Sequence, residues 1–207
     1  MTEPAPSQLD RLVAVMHRLR AECPWDAEQT HRSLVSYLIE ESHELVEAIE
    51  EGGDADLREE LGDLLLQVIF HAEIATERGA FDIEAVAGGV ADKLVRRHPY
   101  VFGDGAVPED LHATWEQRKR AEKGRTSALQ GIPPMPALAR AQKVISRSRS
   151  HGVPVELPAE PVTAEEVGQQ ILALVARAQA GGVDADQAVR GALRELEDRI
   201  AAAESDR

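Results

Sequence analysis

The strongest constraint on the fold is an acidic stretch, residues 40–63, in which the acids recur at a helical spacing. It contains eleven acidic residues and a single basic one, within a chain whose net charge is −14. Glu41 and Glu44 are three positions apart, and so are Glu60 and Asp63. Residues at this spacing lie on one side of a helix. Because a pair of glycines separates the two halves, the sequence predicts two adjacent helices that each present two carboxylates.

These acids lie beside the apolar stripes of their helices. On a wheel of about 100° per residue, Glu41 falls inside the first stripe and Glu44 on its border. Glu60 lies at the edge of the second stripe, with Asp63 just beyond it. The stripes consist of Leu34, Leu38, Leu45 and Ile49 in the first helix and Leu57, Leu61, Leu64, Val68, Ala72 and Ala75 in the second. Carboxylates facing a core are costly unless paired or bound to metal, and no Lys or Arg lies on the same faces of these two helices.

Two interpretations of the acids follow. Hard divalent cations such as Mg²⁺ take oxygen ligands and often work with substrate phosphates, so four converging carboxylates indicate a metal site. Alternatively, the charges only rim a packed core.

The composition restricts the class of protein. At 207 residues the chain can bury a core of one domain or one and a half, and its 3% of aromatic residues favours helices over strands. A net charge of −14 and a pI near 4.9 argue against nucleic-acid binding. The single cysteine excludes a disulfide framework, and no apolar run reaches membrane-spanning length or resembles a signal peptide. We therefore expect an all-α helical bundle in the cytoplasm, with no membrane contact.

Capping residues predict where the other helices begin and end. A capping box of Ser7 and Asp10 starts the first helix, and Cys23–Asp26 ends it. A helix from Asp82 to His98 stops before a proline, and another covers residues 110–123. The predicted caps of the two acidic helices are Thr30 or Ser33 and Asp56, and the predicted inward residues after Asp82 are Ile83, Val86, Val90 and Leu94.

Two cations in the helix after Asp82 lie on the border of its apolar stripe. Lys93 and Arg97 are four positions apart, whereas Arg96 points further outward. Cations beside a core are unusual, but inward acids on a neighbouring helix would explain them. They either pair with those acids or grip phosphate oxygens that a metal also holds.

Each of the two tryptophans has a packing and a binding interpretation. Trp25 either plugs the core beneath its loop or lies near the substrate. Trp115, four residues before Lys119, could stack on a base, although a single tryptophan more often serves packing.

Five motifs follow one another along the chain. They are Cys23-Pro24-Trp25-Asp26 with Gln29-Thr30-His31, Glu40-Glu41-x-x-Glu44 with Glu60-x-x-Asp63, Lys93-Leu94-x-Arg96-Arg97-His98-Pro99-x-Val101-Phe102, Trp115-Glu116-x-x-Lys119, and Gly131-Ile132-Pro133-Pro134. Together they resemble the MazG family of all-α nucleoside triphosphate pyrophosphohydrolases, over roughly residues 7 to 150. The acid pattern alone would indicate only the wider superfamily, which includes dimeric dUTPases and phosphoribosyl-ATP pyrophosphohydrolases.

The resemblance implies Mg²⁺-dependent hydrolysis of (deoxy)nucleoside triphosphates to the monophosphate and pyrophosphate, with Mn²⁺ able to substitute. It also implies a homodimer of helical bundles that serves nucleotide-pool house-cleaning. The implied metal ligands are Glu41, Glu44, Glu60 and Asp63. The implied catalytic residues are Glu40, which would hold or deprotonate the attacking water, Glu41, Lys93 and Arg97. The implied substrate-binding residues are Trp25, Lys93, Arg96, Arg97, Trp115 and Lys119.

The chain departs from the family pattern at two positions. Tyr100 stands where relatives usually have a second histidine, and Asp56 stands where some carry a phosphate-binding lysine. The second departure removes a cation, so it bears on affinity for the triphosphate.

The chain changes character after the MazG-like motifs. The predicted divisions are a flexible tail at 1–6, a catalytic helical domain at 7–123, a Pro-rich connector with a basic helix at 124–161, and a degenerate second MazG-like segment at 162–207. In the last, Glu165–Ile171 repeats the pattern of Glu59–Leu65, with Gln169 in place of Asp63. A chance likeness between two amphipathic helices is the alternative. We expect this segment to carry no chemistry.

Two other functions compete with hydrolysis. A ferritin-like di-iron bundle needs paired Glu-x-x-His motifs, and Glu40-x-x-His43 matches only once, with His43 pointing outward. A non-catalytic partner-binding bundle predicts no phosphate release from any nucleotide, whereas the hydrolase predicts release that needs a metal.

Overall fold

Ten helices and no strand make up the described part of the chain. The structure is a computed structural model that describes residues 7–206, except for the side chains of residues 112 and 113. The helices are α1 (Gln8–Glu22), α2 (Pro24–Glu28), α3 (Val35–Glu50), α4 (Asp54–Glu77), α5 (Ile83–Arg97), α6 (Pro99–Phe102), α7 (Leu111–Glu122), α8 (Ala137–Ser150), α9 (Ala164–Ala180) and α10 (Ala185–Ser205). The predicted all-α class is confirmed, and none of these helices is long and apolar enough to cross a membrane. The predicted flexible tail, residues 1–6, lies outside the described residues.

The acidic segments form a helical hairpin in the first of two compact units, Met1–Phe102 and Gly103–Arg207. Helices α3 and α4 pack along each other, and their short connection makes them antiparallel. Helices α1 and α5 pack against α4. The core of this unit consists of Met16, Leu34, Ile69, Phe70 and Ile74.

Several predicted helix ends are confirmed. Ser7 and Asp10 exchange the two hydrogen bonds of a capping box, at 3.0 and 3.1 Å. Asp82 accepts a hydrogen bond from the backbone N–H of Ala85 at 2.8 Å, and α5 ends before His98. Side-chain capping therefore fixes the start of α1 and of α5 as the sequence predicts.

The predicted caps of the acidic helices are wrong. Thr30 and Ser33 each accept the other's backbone N–H in the turn before α3, whose N-cap is Leu34. Helix α4 begins two residues before Asp56, with Gly53 as its N-cap. Asp56 instead accepts the backbone N–H of Gly53 at 2.8 Å, from the third position of the helix.

Several apolar residues that the helical repeat directs inward lie at the surface of the chain. They are Ile49, Leu61, Val68, Val90 and Leu94, with exposed fractions of 63%, 50%, 40%, 43% and 42%. Their predicted burial is wrong for this chain because a helical repeat identifies an apolar face but not the element that covers it.

Helices α8 and α10 hold the second unit together. Val144 of α8 is buried in one core cluster with Leu196 and Ile200 of α10. Arg147 is also buried, and its Nη1 donates to two backbone carbonyls of the connection before α8. Helix α7 packs against α8, and α9 packs against α10.

Candidate metal centre

Three carboxylates converge between α3 and α4. Glu41 projects from α3, and Glu60 and Asp63 project from α4. One carboxylate oxygen of each residue lies within 4.8 Å of those of the other two, and all three residues are half-buried. In the described part of the chain, this is the one group of acids, histidines or cysteines arranged to hold a metal ion.

The convergence raises the pKa of two of these carboxyl groups. Burial, followed by the charge of Asp63 and of the other nearby acids, holds the pKa of Glu41 above its ordinary value. Burial, followed by the charges of Glu44 and Asp63, raises the pKa of Glu60 in the same way. The metal-free fold therefore disfavours the ionised form of both acids, and a nearby cation would favour it.

The group fits a hard divalent cation. The Oε2 atom of Glu60 is buried and has no hydrogen-bond partner, which is costly for a carboxylate and is relieved by a bound cation. The converging ligand atoms are all carboxylate oxygens, the donors that Mg²⁺ and Mn²⁺ prefer. The group thus has the charge and the donor type of a site for a hard divalent cation.

Two further acids lie beside this group on α3. Glu44 is exposed and lines, together with Glu60, a polar cleft of about 500 Å³. Its charge raises the pKa of Glu41 and of Glu60, although it is not among the three converging ligands. Glu40 is exposed, and its charge also contributes to the raised pKa of Glu41. The negative charges of Glu40 and Glu44 therefore act on the converging acids, although neither residue is one of the three that converge.

The arrangement does not resemble a di-iron site of the ferritin type. His43 is exposed, and its Nδ1 lies 2.7 Å from the backbone carbonyl oxygen of Ile39, one turn earlier on α3. The converging group contains no histidine. A site without imidazole ligands disfavours iron relative to Mg²⁺.

The three cations predicted to meet phosphate lie near the end of α5. Arg97 is buried and Lys93 is half-buried, whereas Arg96 is exposed. This order of burial agrees with their places on the helical wheel. Their role toward phosphate remains a prediction.

Trp25 belongs to a small aromatic cluster near the acids. Its ring meets those of Tyr37 and Phe70 edge-on, at centroid distances of 5.9 and 6.5 Å. Tyr37 lies one helical turn before Glu41, so the cluster adjoins the metal ligands along α3. Because 50% of Trp25 is exposed, a core plug fits it poorly, and a face for a ligand remains available.

Arg20 anchors the segment that carries this tryptophan. Its nearly buried side chain donates to both carboxylate oxygens of Glu77, at 2.7 and 2.6 Å, and to the backbone carbonyls of Asp26 and Gln29. Its guanidinium also lies 5.8 Å from the centre of the Phe70 ring. Motif spacing does not single out Arg20, because one arginine on an amphipathic helix looks like any surface cation.

Trp115 and Lys119 lie in the second unit, on α7. The Lys119 ammonium is 5.4 Å from the centre of the Trp115 ring, where the ring quadrupole attracts a cation. It also pairs with the buried Glu116 at 2.9 Å. The four-residue spacing thus brings the tryptophan and the lysine together on one helix face.

In the repeated pattern of the second unit, the residues that correspond to the α4 acids bond to neighbours on their own helix or at its cap. Glu166, the counterpart of a ligand in α4, accepts the backbone N–H of Thr163 at 2.8 Å in the capping box of α9. Gln169, the counterpart of the other ligand, donates to Glu165 at 3.0 Å. Neither residue belongs to the group of converging ligands found among the described residues.

A family model and several relatives match this chain. The model, described as the MazG nucleotide pyrophosphohydrolase domain, matches residues 29–102, which include the three converging acids together with Glu40 and Glu44. A Thermotoga maritima protein named nucleoside triphosphate pyrophosphohydrolase/pyrophosphatase MazG is 51% identical over 140 residues, covering 65% of this chain and 54% of the relative. An Escherichia coli K12 nucleoside triphosphate pyrophosphohydrolase is 46% identical over 155 residues, covering 70% and 59%.

A third relative matches over most of its length. An uncharacterised 26.1 kDa protein of Streptomyces cacaoi is 48% identical over 199 residues, which cover 93% of this chain and 81% of the relative. By contrast, the chain spans 54% and 59% of the lengths of the two relatives named for an activity. The family model and these matches together show that the chain belongs to the MazG nucleotide pyrophosphohydrolase family, a family of hydrolases.

Proposed function

We propose that this chain hydrolyses (deoxy)nucleoside triphosphates to the monophosphate and pyrophosphate in a reaction that requires Mg²⁺, with Mn²⁺ able to substitute. The observation that carries the proposal is the convergence of Glu41, Glu60 and Asp63 within 4.8 Å, inside the segment that matches the family model. The buried Glu60 oxygen without a hydrogen-bond partner supports occupation by a cation.

In this proposal four acids hold the cation. Glu41, Glu60 and Asp63 supply converging oxygens, and Glu44 approaches from the adjoining cleft. When bound, Mg²⁺ would orient the triphosphate, acidify a nearby water and offset charge on the leaving pyrophosphate. The exposed carboxylate of Glu40 would accept a proton from the attacking water, since it lies on the solvent side of the cluster.

The remaining side chains would bind the substrate. Lys93 and Arg97 would contact phosphate oxygens and stabilise the charge that develops there, with Arg96 further out. Trp25 offers an exposed ring for the base. Trp115 and Lys119 of α7 are proposed to bind the nucleotide, as the family resemblance implies. The proposed catalytic domain therefore runs to residue 123, whereas the segment from 162 does no chemistry.

We infer that a second copy of the chain covers part of the α3–α4 hairpin. Val35, Ile39, Val46 and Ile49 lie within about 80° of each other on the α3 wheel and are exposed by 48%, 54%, 49% and 63%. Leu61 and Val68 on α4 are exposed by 50% and 40%. Two hairpins that pack these stripes together would complete a four-helix bundle. A homodimer is therefore the proposed assembly.

The proposed setting is nucleotide-pool house-cleaning in the cytoplasm, without a nucleic-acid or membrane partner. The net charge of −14 opposes contact with a phosphate backbone, which supports a free nucleotide as the substrate. The acids do not identify the base, so a screen of common and damaged nucleoside triphosphates is needed to name it.

The test replaces a ligand at nearly constant shape. Glu41→Gln should lower the rate of pyrophosphate release at least about 100-fold, because it removes a charged oxygen from the cation site. Release is measured with purified full-length chain and each common nucleoside triphosphate, with and without Mg²⁺, and helix content is checked by circular dichroism.

The matched control is Glu50→Gln on the same helix. Glu50 is exposed, does not line the cleft beside the acids and is not among the converging ligands, so this variant should stay within about twofold of the wild type. A wild-type chain that releases no pyrophosphate from any nucleotide would contradict the proposed function. An active, metal-dependent Glu41→Gln variant would contradict the assignment of the ligand.

A further inference from the structure

Gln67 is a buried polar residue whose amide oxygen has no partner. The residue is 5% exposed, and its Oε1 atom accepts no hydrogen bond. A buried polar atom without a hydrogen-bond partner lowers the stability of a fold by about 1–3 kcal/mol. Its presence in a native fold therefore calls for an explanation, such as a ligand that bonds to it. On α4, this atom and Oε2 of Glu60 are the two buried side-chain oxygens in this condition.

The position of Gln67 on α4 joins it to the candidate metal centre. At about 100° per residue, it projects about 40° from Asp63 and about 20° from Glu60, so its direction falls between those of the two ligands. It lies one turn after Asp63, about 6 Å further along the axis. Gln67 therefore lies on the same face of α4 as Glu60 and Asp63, one turn further along the helix.

Beyond Gln67 the same face of α4 leads to the aromatic cluster. Phe70 lies about 10 Å along α4 from Asp63, and its ring meets that of Trp25. Tyr37, also in contact with Trp25, comes from the stretch of α3 that runs antiparallel to this part of α4. The order along the hairpin is thus acids, amide and aromatic rings. A nucleotide has the same order of phosphates, sugar and base.

We propose that the Gln67 amide oxygen accepts a hydrogen bond from an O–H group that arrives with the substrate complex. This contact would make Gln67 a positioning residue of the site. This inference rests on the proposed function, because it takes the cation and the nucleotide as the ligands. Two sources of the O–H group fit the position: a water of the hydrated cation and a hydroxyl of the sugar. Both supply an O–H donor that an amide oxygen accepts, and at 5% exposure Gln67 is shielded from competing bulk water.

The first experiment measures thermal stability without any ligand. Gln67→Met removes the amide at nearly constant volume, so in EDTA its melting temperature should equal that of the wild type or exceed it by up to about 5 °C. A lower melting temperature, or a chain that fails to fold, would show that the amide already has a partner in the native protein and would overturn the proposal. Gln142→Met, at an exposed position of α8, is the control and should leave the melting temperature unchanged.

The second experiment separates the two sources by thermal shift. If the donor is a water of the cation, Gln67→Met should need about two- to tenfold more Mg²⁺ for the same shift. If it is a sugar hydroxyl, the Mg²⁺ response should be unchanged. The variant should then bind α,β-imido deoxynucleoside triphosphates about two- to tenfold more weakly, with no loss for their dideoxy counterparts.

The readouts distinguish this inference from the proposed function. The imido analogues are not cleaved between the first two phosphates, so binding is measured whether or not the wild type turns over a nucleotide. If the wild type releases no pyrophosphate but Gln67→Met still weakens binding of Mg²⁺ or of the analogues, the proposed function fails and the positioning role stands. If neither affinity changes, the positioning role is overturned, whatever the activity of the wild type.

Discussion

At the scale of single residues, the ionised form of Glu41 destabilises the metal-free fold, and a bound cation would offset this effect. Its pKa is raised in the folded chain, first by burial and then by the neighbouring acids. A group with a raised folded-state pKa stabilises the fold below its unfolded pKa and loses that contribution as the pH rises through the folded pKa. As the pH rises through this raised pKa, the metal-free fold therefore bears the cost of ionising this carboxyl group.

We predict that Glu41→Gln raises the melting temperature of the metal-free protein by about 1–3 °C at neutral pH. The gain should shrink as the pH falls through the raised pKa toward the ordinary value of 4.5, because the wild-type carboxyl then becomes neutral as well. Saturating Mg²⁺ should reverse the order, since a bound ligand stabilises the fold of the wild type more. Melting curves in EDTA and in Mg²⁺ across this pH range measure both effects. A variant less stable than the wild type in EDTA at neutral pH would contradict the prediction.

The sequence predicts some of these residues and not others for a physical reason. A helical wheel brings Glu41, Glu60 and Asp63 to the face between two helices, and charges facing a core are an unusual signal. Gln67 shares that face, but a neutral amide is tolerated in a core whenever it finds a partner. Its missing partner becomes visible only in three dimensions. A wheel that included amides as well as acids would have flagged it.

At the scale of elements, Arg20 ties α1, the Trp25 segment and the end of α4 together. The guanidinium has five donors in a fixed planar arrangement, which suits a carboxylate and two carbonyls at once. The contact with Glu77 depresses the pKa of that carboxyl group, chiefly through the hydrogen bond from Arg20. This contribution to stability is present above the unfolded pKa and is lost as the pH falls through the folded pKa.

We predict that Arg20→Lys costs about 1–2 kcal/mol of unfolding free energy, because a lysine cannot keep the paired contact with Glu77 and the carbonyl contacts together. The loss should shrink at acid pH, where Glu77 is protonated, while the part that comes from the two backbone carbonyl contacts should persist. Urea unfolding at neutral and acid pH measures it. Arg18→Lys is the control, since its i, i+4 pair with Glu22 is exposed on both sides and should change stability by less than about 0.5 kcal/mol. Equal losses in both variants would contradict a special role for Arg20.

Helix existence is predicted better than helix starts. The apolar repeats predict every long helix, since a stripe of this kind needs only local sequence. The starts of α3 and α4 differ from the prediction because several polar residues compete for each cap. Thr30 and Ser33 satisfy each other, and Gly53 leaves Asp56 to bond from inside the helix. Capping residues identify a helix start only where one candidate stands alone, as Ser7 and Asp82 do.

At the scale of the whole molecule, the sequence identifies the apolar helix faces but not what covers each of them. Ile49 belongs to the apolar stripe that the helical wheel identifies, yet it is 63% exposed in this chain. Periodicity carries no information about whether the cover is another helix, another unit or a second copy. The homodimer is therefore an expectation from the family resemblance and a proposal from the exposure of such residues, and periodicity alone does not give it.

We predict that Ile39→Asp converts the dimer to a monomer, because it places a charge in the stripe that the second hairpin would bury. Sedimentation equilibrium or light scattering over a range of concentrations measures the change. Leu172→Asp is the control, since this residue lies on α9 and is 70% exposed. Dissociation by the α9 variant alone would move the interface to the second unit, and a wild-type monomer at all concentrations would refute the dimer.

The short connection between α3 and α4 has a consequence for how the chain folds. At Gly52 a Cβ atom would lie 2.8 Å from the backbone oxygen of Ala48, so this tight reversal needs glycine. It brings Glu41 and Glu60 together across a small sequence separation, and contacts of low sequence separation form among the earliest events of folding. The acids therefore already repel each other when the hairpin first closes, before the other helices of the unit have packed against it. A divalent cation in the surrounding solution would therefore influence the rate at which the native state is reached, and newly made chains would depend on it before any substrate is bound.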